Sequence, residues 1–218
     1  MRRWTKRKPH NIVCALSQEE ISFLTDGIDV SVWGDIYELG TFLGGSTTLL
    51  NSYLTVGEEH HCFDLFKIEY WMLPLIQGEM GESYRDVFDQ HVQDCKSLHV
   101  HGDLTVPPET IRPIKLLFVD AFKQPWTMRK GIELYFSHVI PGGLIMDQDF
   151  FWKPEESGYR FLYYWWLRDY LKPEWRADNL LSFRVRDKIP QQHMPHGTVA
   201  LLSEAFRWWR KQCQVVEL

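Results

Sequence analysis

Glycines, a carboxylate and three hydroxyl side chains between positions 38 and 47 form a pattern that could bind a ligand. A short apolar run ends at Glu38 and is followed by Gly40 and then by the pair Gly44-Gly45. Glycines at such a turn permit positive φ and let backbone amides approach a ligand closely. The amides that begin the next helix would attract anionic or dipolar groups. The candidate binding residues here are Glu38, Gly40, Thr41, Gly44, Gly45, Ser46 and Thr47.

Further carboxylates follow other apolar runs along the chain. Asp64, Asp120 and Asp147 each stand at the end of one, and Gly102-Asp103 forms a turn after another. The carboxyl ends of parallel strands meet at one edge of an α/β sheet, where such proteins bind ligands. The sequence therefore predicts one site at that edge, built from these acids and the glycine turn.

The elements that must position these residues alternate between strands and helices. Ser17 and Glu20 have capping-box spacing, which predicts a helix start. Strands are predicted at 34–39, 60–65, 97–103, 114–120 and 144–147, and helices at 47–54, 82–95, 126–139 and 157–171. Segments 179–186 and 198–202 are predicted to be two more strands, paired with each other.

This order predicts an α/β fold: a Rossmann-like, doubly wound, mostly parallel seven-stranded sheet with a C-terminal antiparallel hairpin and helices on both faces. We expect residues 1–18 to be a basic N-terminal arm and residues 19–218 to be a single domain.

The glycine turn resembles motif I of the class I S-adenosylmethionine-dependent methyltransferases, and the resemblance extends over roughly residues 19–202. It is strongest to the O-methyltransferases of sugars and other small molecules. The resemblance implies that the residues of the glycine turn surround the methionine part of S-adenosylmethionine. It also implies that Asp64 accepts hydrogen bonds from the ribose hydroxyls and that Gly102-Asp103 lies beside the adenine.

A second stretch, residues 119–126 with 143–148, resembles the metal-dependent catechol and macrocin O-methyltransferases. By that resemblance Asp120, Asp147 and Gln148 bind Mg²⁺, an ion that prefers oxygen ligands. Asp120 would also border the cofactor, and Lys123 would take the proton of the acceptor hydroxyl. The sequence departs from the pattern at Gln148, where an acid or asparagine is usual, and after Asp120, where Ala121 follows. A second arrangement stays open, in which Gln148 and Asp149 face the pocket without a metal.

Composition narrows the partners. The net charge of −5 argues against nucleic acid, and no apolar run is long enough to span a membrane. Four scattered cysteines indicate reduced thiols and a cytoplasmic protein. The acceptor is expected to be a small molecule, either a sugar or a natural product. The aromatic content of 15% suits a pocket wall or the interface of a homodimer.

Two other interpretations remain at the level of sequence. One is a nicotinamide-dependent oxidoreductase on the same sheet, although the glycine spacing differs from Gly-x-Gly-x-x-Gly. The other is a non-catalytic relative that keeps the cofactor turn and has lost the acceptor chemistry. Ligand preference would separate the first from a methyltransferase, and turnover would separate the second.

Overall fold

The computed structural model describes residues 5–7, 12–151 and 158–191. The strands are β1 (Thr5–Arg7), β2 (Ile12–Cys14), β3 (Asp35–Leu39), β4 (His60–Phe63), β5 (Leu98–His101), β6 (Ile114–Val119), β7 (Val139–Asp147), β8 (Leu171–Ala177) and β9 (Leu180–Val185). The α-helices are α1 (Gln18–Ser22), α2 (Gly45–Asn51), α3 (Arg85–His91), α4 (Pro125–Tyr135) and α5 (Gly158–Trp166).

Seven of these strands form one sheet in the order β5-β4-β3-β6-β7-β9-β8. The five strands from β5 to β7 run parallel, whereas β9 is antiparallel to both of its neighbours. Strands β1 and β2 make a separate antiparallel pair within the predicted arm. The predicted mostly parallel, seven-stranded, Rossmann-like sheet is therefore confirmed, as is its antiparallel C-terminal pair.

Alternate residues of the central strands face opposite sides of the sheet, and each side has its own core. Tyr37, Leu117 and Ile145 pack into one core together with residues of α4 and α5. Ile36 and Met146 pack into the other with residues of α1 and α2. Because side chains alternate with a period of two, consecutive residues at a strand end also face opposite sides.

The observed bounds of strands β3 and β4 lie close to the predicted ones. Strand β3 occupies 35–39 where 34–39 was predicted, and β4 ends at Phe63, one residue before Asp64. The capping box of α1 is present: the Glu20 amide donates to Ser17 Oγ, and the Ser17 amide donates to the Glu20 carboxylate.

The second half departs from the prediction in two places. Strand β7 begins at Val139 and includes Pro141-Gly142-Gly143, which was predicted to be the turn before the strand. The strand accommodates these residues because its register with β6 shifts there, and Gly142 has a φ of 87°.

The pairing of the last strands is the other departure. Strand β9 pairs with β8 at 171–177, so the prediction that 198–202 is its partner is wrong in this respect; residues 198–202 themselves lie outside the described residues. Pro173 made β8 difficult to recognise as a strand from the sequence. An edge strand tolerates proline at a bulge, and the register of this strand shifts between Pro173 and Trp175.

Candidate functional site

The turn between β3 and α2 depends on two glycines with positive φ. Gly40 has a φ of 91° and Gly44 a φ of 84°. A Cβ on Gly40 would lie 3.0 Å from the carbonyl carbon of Asp120, so only glycine lets the ends of β3 and β6 come this close. A Cβ on Gly44 would lie 2.6 Å from Val92, which packs the turn against the segment after α3.

Glu38 fixes the start of α2 from beneath. Its fully buried carboxylate accepts hydrogen bonds from Ser46 Oγ at 2.5 Å and from Thr47 Oγ1 at 2.6 Å. Charge-assisted bonds of this length are strong and hold both hydroxyls in place. Glu38 therefore shapes the glycine turn through its neighbours in this structure.

Asp64 joins the end of β4 to the same turn. Its Oδ2 accepts the backbone amides of Thr41 at 3.0 Å and Phe42 at 3.1 Å. Its Oδ1 accepts the amide of Phe66 at 2.8 Å and the Tyr84 hydroxyl at 2.7 Å. Burial and the Asp64 charge together raise the pKa of Tyr84, so Tyr84 remains a donor. The sequence did not reveal Tyr84 as a partner of Asp64, because its spacing indicated only a residue on the apolar face of a helix.

A small pocket opens above this turn at the carboxyl end of the sheet. The pocket is small and partly open to solvent. Its lining comes from three parts of the chain: the glycine turn (Thr41, Phe42, Gly45 and Ser46), Asp120 after β6, and Ala15 and Leu16 of the N-terminal segment. The structure thus brings Asp120 of β6 to the predicted glycine turn of β3.

Asp120 belongs to a charged group at the rim of this pocket. Lys123 Nζ donates to Asp120 Oδ1 at 2.7 Å and also to the buried carboxylate of Asp149. The Lys123 side chain itself is half exposed. The open alternative that placed Asp149 near the pocket therefore has a structural counterpart, with Lys123 bridging the two acids.

The three predicted magnesium ligands do not converge. Asp147 lies on the α5 side of the sheet, where its Oδ1 accepts from Arg160 at 2.6 Å, and both side chains are buried. Gln148 points to the other side, where its Nε2 lies 3.4 Å from the carboxylate of Glu20. Alternation along the strand end separates the two residues. Arg160, a single cation in an apolar helix, was the sequence signal for a buried acid partner.

Gly102 and Asp103 are exposed beyond the end of β5 and are not among the pocket-lining residues. Asp103 caps its own turn by accepting from the Thr105 amide and hydroxyl, each at 2.8 Å. Among the described residues, no helix has the length and apolar character that crossing a bilayer requires.

No protein-family model and no curated protein matches the sequence. Solved structures do match the fold. The O-methyltransferase NovP has a TM-score of 0.63 at 14% identity, over 79% of this chain and 82% of its own. An O-methyltransferase from Bacillus cereus in complex with SAH has a TM-score of 0.53 at 17% identity, over 78% and 82%.

A third structure is CalS11, described as a TDP-rhamnose 3'-O-methyltransferase of calicheamicin biosynthesis; it has a TM-score of 0.50 at 15% identity, over 78% of this chain and 81% of its own. At these identities the likeness concerns the fold. The sheet order, the glycine turn and these structural neighbours together show that this protein has the fold of the class I S-adenosylmethionine-dependent methyltransferases.

Proposed function

We propose that this protein is an S-adenosylmethionine-dependent O-methyltransferase that acts on a sugar or another small hydroxylated molecule. One observation carries the proposal: Glu38 and Asp64 brace the glycine turn, and this turn lines a pocket together with Asp120. That arrangement offers backbone groups to a cofactor and a carboxylate to an acceptor at the edge where α/β sheets bind ligands.

The pocket residues suit the methionine end of the cofactor. The pocket is small, so it would hold only part of the molecule. Gly40, Thr41, Gly44, Gly45, Ser46 and Thr47 would surround that part, with Glu38 behind them and Asp120 beside it. Bound S-adenosylmethionine supplies an electrophilic methyl group.

The nucleoside would extend toward β4 and β5. Ribose hydroxyls would bond to Asp64 by replacing one of its present donors. The Phe42 amide is the donor that yields most readily, because Phe42 has a φ of 48°, a conformation unfavourable for a bulky residue. Gly102 and Asp103 would then border the adenine.

Asp120 is the group we assign to the proton. When the acceptor oxygen takes the methyl group from the bound sulfonium, Asp120 Oδ2 would accept the proton that the hydroxyl gives up. Lys123 already donates to Oδ1 of the same carboxylate and to Asp149. We therefore assign Lys123 a positioning role: it orients Asp120, and the proton moves to the carboxylate.

Magnesium does not enter this mechanism. Asp147 is committed to Arg160 on one side of the sheet and Gln148 lies near Glu20 on the other, so the chain's own residues do not fit an ion shared with Asp120.

The acceptor class rests on the aromatic residues of α5. Tyr159 and Tyr163 are only partly buried there, and the Tyr159 hydroxyl donates to the Phe122 carbonyl close to Asp120 in the chain. Aromatic faces pack well on sugar rings and on planar natural products. CalS11, a TDP-rhamnose 3'-O-methyltransferase, is a structural neighbour in keeping with that class.

We also propose a cytoplasmic homodimer. Cys62 and Cys95 are free thiols, as in a reducing compartment. Four tryptophans are substantially exposed and could be covered by a second copy: Trp33, Trp71, Trp126 and Trp175. Sedimentation equilibrium would test this, and a purely monomeric species at micromolar concentration would contradict it.

Calorimetric titration with S-adenosylhomocysteine, with NADH as the comparison ligand, tests the proposed function. We expect saturable micromolar binding of the first and none of the second. Preference for NADH would favour an oxidoreductase, and binding of neither ligand to a folded sample would overturn the proposal.

Asp120→Asn then separates binding from chemistry. S-adenosylhomocysteine should bind within about threefold of wild type, while methyl transfer to a responsive acceptor falls roughly 10²–10⁴-fold, as for loss of a general base. Asp89→Asn is the matched control, because Asp89 is an exposed residue that pairs with Arg85 on the same helix. Binding without turnover across a panel of hydroxyl compounds would instead indicate the non-catalytic relative.

A further inference from the structure

Polar side chains from three neighbouring strands meet at the edge of the sheet opposite the pocket. Asp35 begins β3, Glu59 immediately precedes β4, and His61 and His99 are the second residues of β4 and β5. The parallel register places Tyr37 beside His61 and His61 beside His99. These odd-numbered positions therefore share one face of the sheet.

Three of these side chains bring ligand atoms close to one another. His61 Nε2 lies 3.3 Å from Glu59 Oε2 and 3.7 Å from Asp35 Oδ2. His99 Nε2 lies 3.5 Å from the same Glu59 oxygen. Bonds of about 2.0–2.2 Å to a tetrahedral ion would put ligand atoms roughly 3.3–3.6 Å apart. The observed spacing is thus close to that of a coordination shell.

Two of the atoms that face this point lack hydrogen bonds. Asp35 Oδ2 and His61 Nε2 are buried, and neither has a hydrogen-bond partner among the residues that the structure describes. Asp35 is fully buried and His61 is 7% exposed. Buried polar atoms are nearly always satisfied. Asp35 Oδ2 has an ion pair with Arg112 Nε at 3.3 Å but no hydrogen bond among the described residues, so this facing pair points to a missing partner. A cation between them would satisfy both.

A second histidine orients the first. His61 Nδ1 and His101 Nε2 are 3.1 Å apart, within hydrogen-bond distance. When His61 Nδ1 is the donor, its Nε2 presents a lone pair to the two acids, as in metal-bound histidines anchored by an outer partner. Neutral imidazole is the form in which histidine binds metals.

Among the described residues, Arg112 is the only arginine or lysine that forms an ion pair with Asp35 or Glu59. Its Nε lies 3.3 Å from Asp35 Oδ2 and its Nη1 lies 2.9 Å from Glu59 Oε1. Two carboxylates and one guanidinium leave a net negative charge at the cluster. The arginine is partly exposed and its guanidinium lies 5.5 Å from the Trp33 ring, which could retain it if an ion took its place.

We propose that Asp35, Glu59 and His61 bind a divalent transition-metal ion, with Zn²⁺ as the best match to one imidazole and two carboxylates. His99 is a candidate fourth ligand and His101 is a positioning residue. The ion would tie β3 to β4, and through His99 to β5. Because Asp35 precedes Leu39 by four residues, the site lies roughly 13 Å along the strand from the cofactor pocket. It does not rest on the proposed function.

Calorimetric titration of EDTA-dialysed protein with Zn²⁺ alone tests the proposal. The chain should carry His10, His193 and His196 as glutamine, so that histidines outside the described residues contribute nothing. We expect a single Zn²⁺ per chain and a rise in Tm of roughly 5–10 °C at a hundredfold excess over Kd. Co²⁺ in the same site should give the visible absorption of a tetrahedral complex.

Two ligand variants locate the ion. His61→Ala should weaken binding by at least about 100-fold, and Glu59→Gln, at a partly exposed position, should do so without a risk to folding. His101→Phe should cost about 10–100-fold through loss of the outer partner. His138→Gln is the matched control, since His138 immediately precedes β7, outside the cluster, and should leave affinity unchanged. No stoichiometric binding, or equal affinity in wild type and Glu59→Gln, would overturn the proposal.

Discussion

The hydrogen bonding of the polar side chains differs between the two ends of β3 and β4. At the carboxyl end, Glu38 and Asp64 accept hydrogen bonds from the glycine turn, and Asp64 has donors on both oxygens. At the amino end, Asp35 and His61 each keep a buried polar atom without such a bond among the described residues. Satisfied networks hold a backbone in place, whereas unsatisfied atoms favour an added ligand. In the proposed function the carboxyl end is thus already arranged for the cofactor, and in the proposed metal site the amino end would gain stability from a cation.

The largest expected effect concerns the carboxyl end. Arg160→Met should lower the free energy of unfolding by about 3–5 kcal/mol, because it leaves the Asp147 carboxylate buried without its partner. Burial already raises the pKa of Asp147, and Arg160 opposes that shift. Urea unfolding measures the change. The double variant Arg160→Met with Asp147→Leu should recover most of it, since an apolar pair of similar size avoids the unpaired charge.

A further variant, Asp147→Asn, decides what Asp147 does. If Asp147→Asn leaves stability intact but abolishes a Mg²⁺ dependence of turnover, Asp147 is a metal ligand and our structural assignment fails. Loss of stability without any metal dependence would agree with the buried ion pair.

The next effect belongs to the amino end and depends on pH. The pKa of His61 is about 4 in the folded chain and about 6.5 when unfolded. The unfolded chain therefore binds the proton more readily, and stability falls as pH drops from 6.5 toward 4. In EDTA, wild type should lose roughly 2–3 kcal/mol more across that window than His61→Gln does.

The difference between these two chains matters because neighbouring groups also titrate. Asp35, Glu59, His99, His101 and Arg112 all face His61. Their contributions cancel to first order when the variant is subtracted from wild type. Parallel pH profiles for the two chains would show that His61 is not held neutral by burial, which would remove the contrast between the two ends.

A smaller effect tests the preorganised turn. Asp64→Asn should reduce stability by about 1–3 kcal/mol, because the amide weakens bonds from Thr41, Phe42 and Tyr84. Affinity for S-adenosylhomocysteine should fall about 10–100-fold with it. Tyr84→Phe is the graded comparison, since it removes one donor and keeps the charge. Unchanged affinity in Asp64→Asn would show that the carboxylate does not organise the cofactor turn.

The sequence predicted the carboxyl end better than the rest for a physical reason. Glycine spacing and strand-end acids are local signals, and in the structure the glycine turn and Asp120 line one pocket while Glu38 bonds to the turn. Side-chain partners are not local: the contacts of Asp147 with Arg160 and of Gln148 with Glu20 depend on which face each residue occupies. The prediction of a strand at 144–147 did not say which face of the sheet each residue occupies. Asp147 and Gln148 were therefore expected to lie on the same side. The histidines of β4 and β5 met only through strand register, which the sequence left open.

The smallest expected change in stability concerns Lys123, and it separates two roles at the pocket rim. Lys123→Met should alter the free energy of unfolding by no more than about 1 kcal/mol, because the side chain is half exposed and such pairs contribute little. Turnover should fall about tenfold through misorientation of Asp120, and Lys123→Arg should restore it, since arginine can still bridge Asp120 and Asp149. The pH–rate profile should keep its shape in both variants if Asp120 receives the proton. If Lys123→Met instead abolishes the basic limb of that profile and Lys123→Arg fails to restore turnover, the lysine itself is the base. The proton would then pass to the Lys123 amine and not to the Asp120 carboxylate that the amine orients.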